Sequence, residues 1–166
     1  MRADLRVGRW GARFLGRSLP CATGRGGIGA KRREGDGITP AGVFGIECVL
    51  WRADRIARPA TILPCRAIGP GEGWSDDPAD PAYNGPVRLP HRFGHERLMR
   101  PDPLYDLVAV LDFNRAPTRA GTGSAIFLHV WRAPRHPTAG CIALDRADLI
   151  WVLARWTPRS RVLVAG

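Results

Sequence analysis

The sequence predicts a mostly-β fold with one main helix near the C-terminus. The 166 residues include 20 Gly and 15 Pro, a share of chain breakers that favours short strands and many turns over long helices. Two apolar runs, residues 105–113 and 125–131, have the length and composition of buried strands. A chain of this length holds about one domain, and we expect a single domain over residues 1–166.

Loops and shorter strands account for most of the remaining chain. Residues 23–29 form a glycine-rich segment, which predicts a loop. Residues 69–90 contain five Pro and four Gly with few apolar residues, and they predict a long ordered loop over the surface. Short strands are predicted at residues 5–7, 10–15, 43–51 and 161–165.

One helix is predicted after residue 145. Asp145 is a typical N-cap, and Asp148 places a carboxylate in the first turn, where it meets unpaired N–H groups. Thr157 and Pro158 predict the end of the helix, because the residue before a proline disfavours helical backbone. The apolar residues that follow helical spacing are Leu149, Ile150, Val152, Leu153 and Trp156.

The chain is strongly basic, with 25 Lys and Arg against 15 Asp and Glu and a net charge of +10. Nine of the cationic residues and only two of the acidic ones lie in residues 1–35. Such a segment is typical of proteins that bind an anionic polymer. Because the rest of the chain is nearly balanced in charge, we expect no nucleic-acid partner.

The sequence contains no membrane span and no secretory signal. A spanning helix needs about 18 consecutive apolar residues, and no such run exists. Arginines interrupt every short apolar run before Ser18, so the N-terminus lacks the apolar core of a signal peptide. The sequence as it stands therefore predicts a cytoplasmic protein, and a periplasmic one if its start is truncated.

Four cysteines are spaced too widely for a zinc motif, since no Cys-x-x-Cys pair occurs. No metal or other cofactor is expected. Cys21, Cys48 and Cys65 are expected to be small buried apolar residues. Cys141 differs from these three, because it follows Gly140 at a sharp turn and precedes an apolar run.

His129 is a candidate partner for the Cys141 thiol. Alternation along residues 125–131 places His129 on the same face as Phe127 and Trp131. The eleven residues that follow can form a hairpin that brings imidazole and thiol together, and a nearby His⁺ lowers a thiol pKa from about 8.5. Spacing alone leaves open a core histidine beside an inert cysteine, and it leaves His136 as another possible base.

The residues around this pair resemble a known family. His129 followed by Thr138-x-Gly140-Cys141 resembles the His…[Ser/Thr]-x-Gly-Cys signature of the L,D-transpeptidase catalytic domain, the YkuD family. The segment 34–44, Glu-Gly-Asp-Gly-Ile-Thr-Pro-Ala-Gly-Val-Phe, resembles the family's Thr-Pro-x-Gly-x-Phe stretch. Further similarities to a compact subfamily extend the likeness over residues 20–155.

Membership of this family implies a YkuD-like β-sandwich of mixed sheets, with the main helix after the catalytic cysteine. It implies that Cys141 attacks the carbonyl between a diamino acid and D-Ala in a peptidoglycan tetrapeptide stem and forms a thioester. His129 is then the base. Gly140 and Cys141 are the implied oxyanion donors, and Thr138 and Ala139 belong to the same supporting turn.

The sequence departs from the family in ways that concern substrate binding. Many relatives have Arg two residues after the nucleophile, where this chain has Ala143. Arg132 and Arg135 lie in the loop before Cys141 and are candidates to replace it. Tyr83 and His95 are further candidates for contact with the substrate.

Three functions follow from these observations. The family's own activity is transpeptidation on peptidoglycan stems or muropeptides, with an amine as acyl acceptor. A cytosolic L,D-carboxypeptidase would use water instead, in the recycling of murein peptides. A basic module that binds a polymer without catalysis is the third. The acceptor and the oligomeric state are not predicted.

Overall fold

The computed structural model describes residues 3–166, and this part of the chain forms short strands and one helix. The strands are β1 (Leu5–Gly8), β2 (Gly11–Phe14), β3 (Arg17–Leu19), β4 (Cys21–Ala22), β5 (Ile28–Gly29), β6 (Thr39–Pro40), β7 (Gly42–Phe44), β8 (Ile46–Trp51), β9 (Cys65–Ala67), β10 (Glu72–Ser75), β11 (Pro86–Arg88), β12 (His95–Arg97), β13 (Leu107–Leu111), β14 (Phe127–Val130), β15 (Ile142–Leu144) and β16 (Val162–Val164), and the helix is α1 (Arg146–Ala154).

Two mixed sheets contribute to the main hydrophobic core. One has five strands in the order β3-β2-β1-β16-β7, with β1 and β16 parallel. The other has six strands in the order β4-β15-β14-β13-β8-β9. Buried side chains of both sheets and of α1 form one cluster, which includes Leu5, Val7, Phe14, Leu107, Leu128, Ile142, Leu149 and Val152. The architecture confirms the predicted mostly-β sandwich with one main helix after Cys141.

The six-stranded sheet is covered on its other face as well. Val108, Val110 and Phe127 point away from the main core and pack in a second cluster with Trp74 of β10. Every residue of β13 is therefore buried, which explains why its sequence is apolar without alternation.

The covering layer corrects one sequence expectation. Residues 69–90 are not a long loop: they contain β10 and β11, which form a three-stranded sheet in the order β11-β10-β12. Glycine and proline are frequent here because the strands are short and joined by tight turns. Gly73, in the middle of β10, lies so close to the carbonyl of Glu96 that a Cβ atom would be 2.9 Å from its oxygen.

The predicted strand at residues 43–51 is also two strands, and they belong to different sheets. β7 pairs with β16, while β8 pairs with β13. The chain changes sheet at Gly45, whose N–H donates to the carboxylate of Asp112. A continuous apolar pattern cannot reveal this change.

The helix begins as predicted and ends earlier. Asp145 is the N-cap, and its side chain accepts a hydrogen bond of 2.8 Å from the N–H of Ala147. The last helical residue is Ala154, three residues before Thr157. The predicted strands at residues 5–7, 10–15, 105–113, 125–131 and 161–165 are confirmed, with ends shifted by one or two residues. No helix in the described part of the chain has the length and hydrophobicity to cross a membrane.

Candidate active site

His129 and Cys141 are placed at one site by two neighbouring parallel strands. β14 carries His129, and β15 begins one residue after Cys141, with Leu128 opposite Ile142. The connection is thus a crossover and not the hairpin expected from the sequence. It still places the sulfur beside β14, because the N–H of Phe127 lies 3.5 Å from Cys141 Sγ.

Both side chains line one open cleft of about 900 Å³. Only 4% of His129 and 8% of Cys141 is exposed, so the two reactive groups form part of the floor of the cleft. A ligand in this cleft would reach the sulfur and the imidazole from the same side.

The orientation of the imidazole is fixed from two directions. Its Nδ1 donates a hydrogen bond of 2.8 Å to the carbonyl of Val130, so Nε2 carries the lone pair of the neutral ring. The ring of Tyr105 packs edge-on at 5.4 Å between centroids. Burial lowers the pKa of His129 to about 4, and its hydrogen bond to Val130 only partly opposes this. The ring is therefore neutral at physiological pH.

The Cys141 thiol is neutral too. It donates to the carbonyl of Ala125 at 3.1 Å. Burial raises the pKa of this thiol to about 12, and the negative charge of Glu96 acts in the same direction. The hydrogen bond from Phe127 and the charge of Lys31 oppose the shift only in part. The lowered thiol pKa that the sequence predicts from a nearby His⁺ is therefore not found at Cys141.

A hydrogen-bonded turn presents the sulfur. The Thr138 hydroxyl donates to the carbonyl of Cys141 at 2.6 Å and accepts from the N–H of Gly140 at 3.1 Å. Gly140 has φ of +145°, a backbone conformation that a side chain would strain. Thr138 and Gly140 therefore hold the turn that directly precedes Cys141, while Ala139 lines the cleft.

Thr39 holds this turn from behind, and sequence reasoning did not single it out. Its fully buried hydroxyl accepts from the N–H of Gly24 at 2.7 Å and donates to the carbonyl of Gly140 at 2.9 Å. Gly24 lies so close that a Cβ atom there would be 3.1 Å from the Cα of Gly140. The Thr-Pro pair in segment 34–44 was the available signal, but the sequence does not show that Thr39 contacts the turn before Cys141.

Glu96 and Tyr105 are further cleft residues that sequence reasoning missed as functional groups. The Tyr105 hydroxyl donates to a carboxylate oxygen of Glu96. Burial raises the pKa of Glu96, and the nearby charge of Asp76 adds to the rise. A carboxyl group with a raised pKa thus lies in the same cleft as the thiol.

Arginines give the cleft its positive charge. Arg25, Arg97 and Arg132 line it. Arg132 was a candidate from the sequence. Arg25 was not, and it reaches the cleft because its N–H donates to the carbonyl of Thr138 at 2.9 Å.

The other predicted site residues divide into two groups. His95 lines the cleft, and so does His136, the alternative base. Tyr83 and Arg135 lie outside its lining. The buried Tyr83 hydroxyl donates to Glu34 and accepts from the N–H of Gly123, whereas Arg135 donates to the carbonyl of Trp10.

The remaining cysteines do not line this cleft. Cys21 is buried, Cys48 and Cys65 are half-buried, and all are free thiols. Within residues 3–166, no cluster of three or more His, Cys, Asp or Glu side chains could hold a metal ion.

Comparison with known proteins gives the family. The model of the L,D-transpeptidase catalytic domain, YkuD, matches residues 10–164. Searches of the curated proteins and of the solved structures found no significant match. The family match covers nearly the whole chain, including both strands of the cleft and the turn between them. The chain therefore belongs to the L,D-transpeptidase catalytic domain family, whose members act on peptidoglycan.

Proposed function

We propose that the protein is a cysteine acyltransferase that acts on tetrapeptide stems of peptidoglycan. The observation that carries the proposal is that the Cys141 thiol and the His129 imidazole line one cleft in a chain of this family, with His129 on β14 and Cys141 directly before the adjacent strand β15. The imidazole tautomer supports it, because the nitrogen left without a proton, Nε2, is the one a base needs.

The first step is attack on the carbonyl between the stem's diamino acid and its terminal D-Ala. Because both reactive groups are neutral at rest, the thiol proton passes to His129 Nε2 as the sulfur attacks, and not before. The sulfur–carbon bond forms, and the carbonyl electrons move to its oxygen. Substrate in the cleft also displaces water, which strengthens the interaction between the developing charges.

The developing oxyanion needs N–H donors beside the sulfur. The backbone N–H of Cys141 is placed next to the reacting atom, and the family resemblance assigns Gly140 as well. The Gly140 N–H donates to the Thr138 hydroxyl at 3.1 Å. For the Gly140 N–H to donate to the oxyanion, its hydrogen bond to Thr138 must break.

Collapse of the tetrahedral intermediate breaks the peptide bond. His129 returns its proton to the leaving amine of D-Ala, and the stem stays bound to Cys141 as a thioester. An amine acceptor then gives up a proton to His129 and attacks the thioester, which forms a new amide and restores the thiol. Water as acceptor would give a free tripeptide, the L,D-carboxypeptidase outcome.

Substrate anchoring falls to the arginines of the cleft. Arg25, Arg97 and Arg132 line it and suit the carboxylates of a stem peptide. They take over the role that the resemblance gives to an Arg at the position of Ala143, which is fully buried here.

The proposal is tested with a disaccharide-tetrapeptide, alone and with an amine acceptor, followed by mass spectrometry. A cross-linked or amine-exchanged product identifies a transferase, and tripeptide alone identifies a carboxypeptidase. Cys141→Ala should lose about 10⁴-fold or more in turnover. A β-lactam of the carbapenem class should add its mass to the peptide that contains Cys141.

Cys65→Ala is the matched control, since its half-buried thiol lies outside the cleft. It should keep wild-type turnover and the adduct. Turnover that survives in Cys141→Ala, or no turnover of either kind in the wild-type protein, would refute the proposal.

A further inference from the structure

A second groove lies beside the catalytic loop, and the proposed chemistry does not use it. It has a volume of about 540 Å³ and surrounds the tip of the β1–β2 hairpin. We call it the arginine–tryptophan groove. The residues that give it its chemistry are Arg6, Arg9, Trp10, Arg13 and Arg135.

The groove is positively charged without compensation. Arg6 and Arg13 stand directly opposite each other on β1 and β2, an arrangement that is destabilising for like charges. None of the ion pairs formed within residues 3–166 involves an arginine of the groove. No acidic residue lines it. An anionic ligand would relieve the repulsion.

Trp10 adds an apolar platform at the same place. It is 77% exposed, and the Arg9 guanidinium lies 4.7 Å from its ring centroid. A flat aromatic face beside cations suits a saccharide polymer with carboxylates on its side groups: the C–H face of a sugar ring stacks on the indole, and the acids pair with arginine. Trp10 is the one exposed large apolar side chain among the residues that line the groove, whereas a membrane surface would call for several.

Arg135 connects the groove to the active site. Its Nη1 donates to the carbonyl of Trp10 at 3.1 Å. Its backbone has φ of +59°, a left-handed conformation that is costly for a bulky residue and is often found at functional sites. Arg132 and His136 of the same loop line the catalytic cleft. The groove and the cleft are therefore two sides of one loop.

We propose that the arginine–tryptophan groove binds the saccharide strand of peptidoglycan, while a stem peptide carried by the same polymer enters the cleft and reaches Cys141. This inference rests on the proposed function, because a polymeric substrate would contact the groove and the cleft at the same time. Trp10 stacks on a sugar ring, and the arginines pair with carboxylates of neighbouring stems. Binding weakens as salt rises, because the charges are at the surface.

Co-sedimentation of the full chain with insoluble peptidoglycan tests this. Trp10→Ala and the triple variant Arg6→Gln, Arg9→Gln, Arg13→Gln should each bind about fivefold or more weakly than wild type. A second triple variant, Arg88→Gln, Arg92→Gln, Arg119→Gln, loses the same charge from exposed positions outside the groove and the cleft and should bind as wild type.

Turnover separates groove binding from catalysis. The groove variants should process a soluble disaccharide-tetrapeptide at the wild-type rate and polymeric peptidoglycan with a raised KM. Unchanged binding and polymer turnover in both groove variants overturn the inference and leave the proposed function intact. A wild-type protein that does not turn over the soluble substrate would refute the proposed function instead.

Three further results would also overturn the inference. One is a wild-type protein that does not sediment with peptidoglycan. Another is an equal loss of binding in the second triple variant, which would show that net charge alone is responsible. The third is tighter binding to duplex DNA, or to vesicles of equal parts phosphatidylcholine and phosphatidylglycerol, than to peptidoglycan.

Discussion

His129 and Cys141 are buried in the same cleft floor, and burial favours the uncharged form of each. The two pKa values move in opposite directions, to about 4 for the imidazole and about 12 for the thiol. At neutral pH the proton thus remains on the Cys141 sulfur. The fold thus fixes the positions of the two side chains without ionising either of them.

Stability should fall in acid because of His129. The unfolded imidazole has its ordinary pKa of 6.5 and binds a proton before the folded one does. The stabilisation is therefore present above pH 6.5 and is lost as pH falls towards 4. Its size is about 3 kcal/mol in free energy of unfolding. Urea denaturation at a series of pH values measures it.

His129→Asn is the comparison for that experiment. An asparagine amide can donate to the Val130 carbonyl as the imidazole does, but it does not titrate. The variant should lose less stability than wild type between pH 6.5 and 4. Parallel curves for the two proteins would contradict the assignment.

Thr39 should matter to both stability and turnover. Thr39→Val keeps the shape of the side chain but leaves the Gly24 N–H and the Gly140 carbonyl without their partner, at a cost of about 2 kcal/mol in free energy of unfolding. Turnover should fall in kcat, because the turn before Cys141 loosens. Thr39→Ser keeps the hydroxyl and should stay near wild type in kcat. Equal kcat values in the two variants would count against this role.

Local sequence signals predicted that His129 and Cys141 share one site, but not their ionisation. The Thr-x-Gly-Cys motif and the preceding histidine lie within thirteen residues of each other, at 129–141. The causes of the two pKa shifts lie elsewhere: burial is the largest cause of both, and the charge of Glu96, in β12, adds to the shift at Cys141. Thr39 was missed for the same reason, since its partner Gly140 is 101 residues away.

At the scale of elements, helix α1 shows what local chemistry can specify. Its N-cap bond joins Asp145 to Ala147, two residues apart, so its start could be read from the sequence. The break between β7 and β8 could not, because Gly45 is held by Asp112, 67 residues away. The sequence did not predict the strands in residues 69–90, because β10 is a strand only through its pairing with β11 and β12.

Removal of the helix cap should destabilise the whole domain. Asp145→Ala deletes the acceptor for the Ala147 N–H and should cost about 1 kcal/mol in free energy of unfolding. Chemical denaturation followed by circular dichroism measures the change. Asp145→Asn, which keeps an acceptor oxygen, should recover most of it. A loss of the same size in both variants would show that the carboxylate charge, and not the cap bond, is responsible.

At the scale of the molecule, Asp106 joins distant parts of the chain. Its buried carboxylate accepts from Arg55 at 2.8 Å and from Arg146, the first residue of α1, at 2.7 Å. It lies immediately before β13, the fully buried strand. The helix, the central sheet and the segment after β8 thus share one ionic contact.

Asp106→Asn should therefore lower the free energy of unfolding by about 2 kcal/mol. The loss stays below that of a fully buried pair, because both arginines reach solvent and can be hydrated. Glu47→Gln breaks the more exposed pair with Arg115 and should cost less than about 1 kcal/mol. Urea denaturation of the two variants measures both losses in free energy of unfolding. A loss in Glu47→Gln as large as that in Asp106→Asn would contradict the prediction.

The uncharged thiol also has a bearing on oxidative stress. Peroxide attacks thiolates, and a sulfur that keeps its proton is a poor target. Cys141 should thus resist conversion to sulfenic acid at neutral pH. Under the proposed mechanism, its sulfur would be open to oxidants only during the interval in which its proton has passed to His129.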